Sequence, residues 1–267
     1  MLRLLPTAAL AFALLAPAAH ADVVATTAKP TPLAAADGKV LYSAWDGSQY
    51  RLTQLGAGAL NVAGADSPFV ADIGRAGGHT VAVYARDRVL YEYDFATKKE
   101  RRLLAGTAGS VSGDRLVFAR KSGVYERRGS GRSERLTRKE ALSVDTRGSR
   151  FAFSGSRKWS HEPWLGTTRL THVPGGGASP DFLDALNPTF SGNSIYWLLS
   201  RQGDNNFGEI HRYNRAERRD ERVNMRIDGI VAGFAYDAGN AYYSVGTEIH
   251  RVSGLAFEPA PRITMPL

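Results

Sequence analysis

Six times along the chain a short apolar and aromatic run follows a small or turn-forming stretch. The runs are Val40-Leu41-Tyr42, Val81-Ala82-Val83, Leu116-Val117-Phe118, Phe151-Ala152-Phe153, Ile195-Tyr196-Trp197 and Ala241-Tyr242-Tyr243. Successive starts are therefore 41, 35, 35, 44 and 46 residues apart. A second strand-like run comes after each, usually with a polar edge segment behind it. One such unit cannot bury both of its faces, so neighbouring units must stand side by side. A period of roughly 40–50 residues built from short strands predicts an all-β fold, a six-bladed β-propeller of four-stranded antiparallel blades.

The local chemistry is that of strands. Alternation is clear in Val89-Leu90-Tyr91-Glu92-Tyr93, Glu209-Ile210-His211-Arg212-Tyr213 and Glu248-Ile249-His250-Arg251-Val252. Turn residues that tolerate positive φ sit where hairpins need them, at Asp37-Gly38, Asp46-Gly47, Gly113-Asp114, Arg147-Gly148, Gly192-Asn193 and Gly239-Asn240. In unit five the strands read as 188–190, 194–199, 209–213 and 219–223. The segment 180–186 reads as a single helical turn stopped by Pro188. Charged outer segments such as Lys99-Glu100-Arg101-Arg102 and Arg218-Arg219-Asp220-Glu221-Arg222 keep sheet edges from pairing with other molecules. The β-prone stretch 23–27 is expected to pair with the last unit, and 262–267 reads as a final strand.

The turns ahead of the apolar runs carry a resemblance. Ala36-Asp37-Gly38-Lys39, Ser112-Gly113-Asp114-Arg115, Thr146-Arg147-Gly148-Ser149, Ser191-Gly192-Asn193-Ser194 and Asp237-Ala238-Gly239-Asn240 resemble the Ser-Pro-Asp-Gly-like turns of TolB-like and WD-type six-bladed propellers. Unit two, with Gly74-Arg75-Ala76-Gly77-Gly78, lacks the acid. The resemblance spans nearly all of the chain after the leader. It implies the same fold and, because members of such families mostly serve as interaction platforms, a binding role.

The first 21 residues have the parts of a cleavable signal peptide. Arg3 gives a positive start, 4–15 are apolar, and Ala19-His20-Ala21 offers small residues where a signal peptidase reads. Cleavage before Asp22 leaves 22–267 as one propeller domain. The apolar stretch falls short of the ~20 residues that span a bilayer, and no later segment reaches that length. With no cysteine, neither disulfides nor a lipid-modified cysteine is available, so burial alone must hold a secreted, extracytoplasmic domain together. A monomer is expected.

Charge is unevenly spread. Between Lys98 and Lys158 there are seventeen Lys or Arg and six Asp or Glu, a net of +11 against +8 for the whole chain. The basic sector includes Lys98, Lys99, Arg101, Arg102, Arg127, Arg128, Arg135, Arg138 and Lys139. It reads either as solvated strand edges or as a surface for an anionic cell-envelope polymer. No nucleic-acid module accompanies it, and export argues against such a partner.

Two loops supply candidate ligand contacts. Arg157-Lys158-Trp159-Ser160-His161-Glu162-Pro163-Trp164 offers two tryptophans five apart beside a histidine. Trp159, His161 and Trp164 could stack against a sugar or an aromatic group, or the rings could fill the wedge between blades. The hairpin Gly203-Asp204-Asn205-Asn206 brings oxygen donors, of which Asp204 and Asn206 are candidate contacts, although the spacing is not that of an EF-hand. His211 and His250 hold equivalent places and read as partly exposed strand residues. No His-Glu-x-x-His, Gly-x-Ser-x-Gly or phosphate-binding loop occurs. The sequence thus points to no catalytic residues, no metal and no cofactor. The reading is an exported non-catalytic scaffold for a protein or cell-envelope polymer. Its alternative is a propeller enzyme, a glycan or ester hydrolase or lyase, with its site at the central channel. That alternative requires acid, base and cation to converge at one mouth.

Overall fold

Each apolar run becomes the second strand of a four-stranded antiparallel unit. The computed structural model describes residues 21–157, 160–171, 182–203 and 206–259. Unit one contains β2 (Leu33–Ala36), β3 (Lys39–Trp45), β4 (Tyr50–Gln54) and β5 (Gly58–Ala59). Unit two contains β6 (Val70–Ala76), β7 (His79–Arg86), β8 (Val89–Asp94) and β9 (Lys99–Ala105). Unit three contains β10 (Ala108–Ser112), β11 (Arg115–Arg120), β12 (Gly123–Arg128) and β13 (Glu134–Thr137). In unit four, β14 (Ala141–Arg147), β15 (Arg150–Arg157) and β16 (Ser160–Leu165) are followed by the short β17 (Thr168–Arg169). Unit five has the longest strands: β18 (Phe182–Ser191), β19 (Ser194–Gln202), β20 (Phe207–Asn214) and β21 (Arg219–Asp228). In unit six, β22 (Val231–Asp237), β23 (Asn240–Val245) and β24 (Glu248–Val252) lie beside β1 (Ala21–Thr26), the first strand of the chain. Asp22 stands opposite Arg251 and Thr26 opposite Glu248. A last strand, β25 (Phe257–Pro259), extends unit five beyond β21. The expected final strand at 262–267 lies outside the described residues.

The second strands are apolar on both faces because each sheet is covered on both sides. Leu41, Ala82, Val83, Val117, Phe118, Phe153 and Trp197 have no solvent exposure at all. Six buried clusters accompany the six units, and each is shared by two consecutive ones. Leu41, Leu52, Phe69 and Tyr84 join units one and two. Leu33, Val40, Ala235 and Ile249 join unit six to unit one. First strands follow the same order, with β2 beside β6, β6 beside β10, β10 beside β14, β14 beside β18, β18 beside β22, and β22 beside β2. The fold is thus all-β and propeller-like.

Buried hydroxyls on second strands fasten three of the units to the start of the next. Ser43 Oγ accepts from Phe69 N at 3.0 Å, Ser154 Oγ donates to Ala185 O at 2.5 Å, and Ser244 Oγ donates to Thr31 O at 2.6 Å. First strands approach so closely that Gly74 has no room for a side chain: a Cβ there would stand 2.1 Å from the Val111 carbonyl oxygen.

Two sequence expectations are corrected. Of the segment read as a helical turn, the described residues 182–186 are the first half of β18, paired with β19 from Phe182 opposite Gln202 to Leu186 opposite Leu198. Pro188 falls in the bulge between Leu186 and Thr189, where no ladder donor is needed. His211 is buried, not partly exposed, and its ring stacks on Trp197 at 5.4 Å.

Candidate binding site at the channel mouth

In each unit the first strand ends at a turn, and all six of these ends surround one cavity of about 390 Å³. Its wall is built from Ala35–Asp37, Asp72–Arg75, Val111–Ser112, Asp145–Arg147, Thr189–Gly192 and Asp237–Ala238, one segment per unit. Positive φ at Asp37, Gly38, Gly77, Gly78, Gly113, Gly148, Gly192, Ala238 and Gly239 lets the chain reverse at the rim.

Hydrogen bonds link the rim from unit to unit. Asp237 Oδ2 accepts from Gly38 N at 2.8 Å, tying unit six to unit one. Asp37 Oδ2 accepts from Arg75 Nε and from Thr80 Oγ1, both at 2.9 Å. Arg75 O accepts from Gly113 N at 2.7 Å, and Ser112 Oγ from Gly148 N at 3.0 Å. Arg147 Nη1 reaches the Gly192 carbonyl at 3.3 Å. Arg115, itself buried, supports the turn of unit four from beneath through Thr146 Oγ1, Gly148 O and Arg150 O. The Arg75 guanidinium holds the Asp37 carboxyl below the ordinary aspartate range.

Two carboxyls stand below this rim. Asp145 Oδ2 accepts from Phe190 N at 2.5 Å, and its Oδ1 from Ser110 Oγ at 3.3 Å. Ser110 Oγ in turn accepts from Thr146 N at 2.9 Å and also interacts with Asp72. The Asp72 Oδ2 is out of contact with solvent and has no hydrogen-bond partner. Burial pushes the Asp72 carboxyl well above its ordinary range, and the neighbouring Asp145 charge adds to it. Burial likewise raises Asp145, to about 6, against the hydrogen bonds from Phe190, Ser110 and Thr146 that oppose the rise. Two like charges in a poorly solvated space cannot both be held cheaply, so the pair retains a proton into the neutral range.

Sharing the pair with this cavity is an inner chamber of about 20 Å³ lined by Ala71, Asp72, Ser143, Asp145, Asn187 and Thr189 among others. Asn187 forms one wall from the β18 bulge at φ 42, a conformation asparagine tolerates. Its Nδ2 donates to Leu33 O and to Phe234 O, both at 3.0 Å, which binds units five, one and six together at the axis.

No protein-family model matches the chain, and no curated protein does. Solved structures do. A chain of a crystal structure of the Mitotic Checkpoint Complex aligns with a TM-score of 0.54 at 10% identity, over 88% of this chain and 94% of that one. The extracellular domain of the putative one component system BT4673 from B. thetaiotaomicron aligns with a TM-score of 0.53 at 7% identity. That match covers 87% of this chain and 40% of the other. A WD40 domain from Toxoplasma gondii coronin aligns at a TM-score of 0.46 and 7% identity, over 92% and 87% of the two chains. At such identities the first two bear on the fold and on nothing else.

The residues singled out from sequence lie elsewhere. Trp159 and Asp204 fall outside the described residues. His161 sits on β16 with Nδ1 2.8 Å from Asp184 Oδ1, and its backbone N–H donates to the same oxygen at 3.1 Å. Trp164 stacks on Phe153 at 6.1 Å with the Lys139 Nζ 4.2 Å from its ring centre. Asn206 Oδ1 accepts from Gly203 N at 3.0 Å, ordinary turn chemistry. His161 lies at the start of β16 and Asn206 just before β20, at the ends of these strands away from the mouth. Within the basic sector, Arg101 pairs with Glu92 at 2.7 Å and Arg128 approaches Glu126 at 3.8 Å. Lys98, Lys99, Arg102, Arg135 and Arg138 are exposed on or beside the outer strands of units two and three, and Arg127 is half-buried on β12.

Asp72, Asp145, Ser110 and Asn187 were not legible as a group. Sequence distance hides them, since the two acids belong to different units. One signal was present: each acid interrupts a small or apolar run, Val70-Ala71-Asp72-Ile73-Gly74 and Ser143-Val144-Asp145, shortly before a turn. An ionisable side chain there must face the axis or be buried at high cost.

Proposed function

We propose that the chain is an exported, six-bladed β-propeller that serves as a binding scaffold, with its recognition site at the channel mouth and a protein or cell-envelope polymer as its partner. The leader at 1–21 supports export, and the six shared clusters together with the β2–β22 contact support six blades in a closed ring. One observation carries the choice of face: the first-strand ends of all six units converge on a single open cavity. Among the described residues no helix is long and apolar enough to cross a membrane.

The test is a pull-down of the chain from residue 22 onward against cell-envelope fractions. Ala238→Trp, at an exposed rim position, is expected to abolish recovery of the partner while the fold, followed by circular dichroism, is retained. Trp159→Ala is expected to leave recovery intact. Undiminished recovery by Ala238→Trp removes the mouth from consideration, and recovery that vanishes only in high salt assigns binding to the basic sector instead.

The enzyme reading draws on one observation, the Asp72 and Asp145 pair with a proton available near neutrality. Against it stands the engagement of Asp145, whose oxygens already accept from Phe190 N and Ser110 Oγ. Hydrolysis of envelope glycans or esters that disappears in Asp145→Asn would reverse the choice.

A further inference from the structure

The inner chamber presents buried polar atoms without partners. Asp72 Oδ2 and Ser143 Oγ both line it, both are shut off from solvent, and neither has a hydrogen-bond partner. Asp145 completes the set, with its oxygens already receiving Phe190 N and Ser110 Oγ. Buried acceptors left in this state are costly unless something supplies the missing donors. The chamber, of about 20 Å³, shares Ala35, Asp72, Asp145 and Thr189 with the wall of the outer cavity of about 390 Å³. Such a chamber takes one or two water-sized groups.

We propose that this chamber receives a primary ammonium group on an unbranched alkyl stem, with Asp72, Asp145 and Ser143 accepting its three N–H bonds and the outer cavity holding the stem. This rests on the reading of the mouth as the recognition site. An ammonium is a compact charge with three donors, whereas a guanidinium is a planar fork too broad for the chamber. A divalent metal is less well served, because among the described residues no group of three or more His, Cys, Asp or Glu is placed to hold one. The charged groups facing the cavity are Asp37 and Asp237 from units one and six, Arg75 from unit two, Arg147 from unit four, and the pair itself. Four acids against two arginines leave the cavity net negative. Both arginines are already engaged, Arg75 by Asp37 and Arg147 by the Gly192 carbonyl. The ammonium enters charged, and the proton that the carboxyl pair holds is released to solvent. Binding therefore strengthens as pH rises through the titration of the pair. The group could come from a free alkylamine or from a lysine side chain of a protein partner.

Isothermal titration calorimetry on the chain from residue 22 onward separates these cases. Its probes are n-butylammonium, a capped Ala-Lys-Ala peptide, the same peptide with an acetylated lysine, n-butylguanidinium and calcium chloride. The ammonium probes are expected to bind with proton release, read as a heat that changes with the ionisation enthalpy of the buffer. Affinity should climb about tenfold between pH 5 and pH 7. Butylguanidinium should bind about tenfold more weakly, acetyl-lysine not at all, and Asp72→Asn should reduce ammonium affinity about tenfold or more. The peptide binding more tightly than butylammonium assigns a protein lysine, and the reverse order assigns a free amine. Failure of both ammonium probes to bind, binding without proton release, or a folded Asp72→Asn with unchanged affinity overturns the inference. So does chelator-reversible calcium binding that Asp72→Asn abolishes, which assigns the chamber to a metal. Failure here together with loss of envelope capture by Ala238→Trp would sink the ammonium alone and leave the mouth standing.

Discussion

Asp72 keeps one carboxyl oxygen without a partner at the axis of the molecule, and its energetics follow from the sign of its shift. A carboxyl whose pKa is raised by folding binds more protons folded than unfolded, so stability falls as pH rises from the ordinary aspartate range near 4 through the folded value. For Asp145 that folded value is about 6, and Asp72 shifts in the same direction. Asp72→Asn is therefore expected to raise the melting temperature at pH 8 and to lose that advantage at pH 4, in paired thermal melts. Asn187 is the converse case, since both of its donors are used. Asn187→Ala leaves the Leu33 and Phe234 carbonyls unmet at the axis and should cost about 2 kcal/mol in denaturant unfolding. His211 is pulled two ways: burial depresses its pKa, but Asp220 at 3.1 Å and Glu209 outweigh it and the net shift is upward. A raised histidine contributes stability that is complete below its unfolded pKa and is lost as pH rises through the folded one. His211→Phe, which keeps the stack on Trp197, should cost about 2 kcal/mol at pH 6 and clearly less at pH 9.

Among the elements, the second strands were the legible ones. They are covered on both faces, so each had to be apolar at its centre, and the repeat of such runs marked the units and their turns. First strands carry small and polar residues facing the axis, and no periodicity marks them. β18 shows where local preference misleads. Leu183, Ala185 and Leu186 favour a helix, yet pairing with β19 places Ala185 in the core beside Trp197 and decides for the strand. The β-prone start of the chain read correctly, because a strand at the edge of unit six has one partner to find and β1 finds β24. Deleting residues 22–27 strips that edge. The loss of its ladder should cost about 3 kcal/mol, a fall of roughly 10 °C in melting temperature, and should expose β24 to self-association, visible by light scattering.

For the whole molecule, six shared clusters and the links among first strands couple every unit to two others. No unit holds a core of its own. Unfolding is accordingly expected as one transition, with tryptophan fluorescence from Trp45 in unit one and Trp197 in unit five coinciding with far-ultraviolet circular dichroism. Separate midpoints would mean that the units melt independently. By itself the sequence determined what is local and repeated: strand chemistry, turn positions and charged outer edges, all of which follow from side-chain burial and backbone preference within one unit. The tertiary structure alone decided which distant residues meet. Asp72 and Asp145 stand 73 positions apart (145 less 72) and are joined only because the first strands gather round one axis. There the removal of water raises the pKa of two otherwise ordinary aspartates.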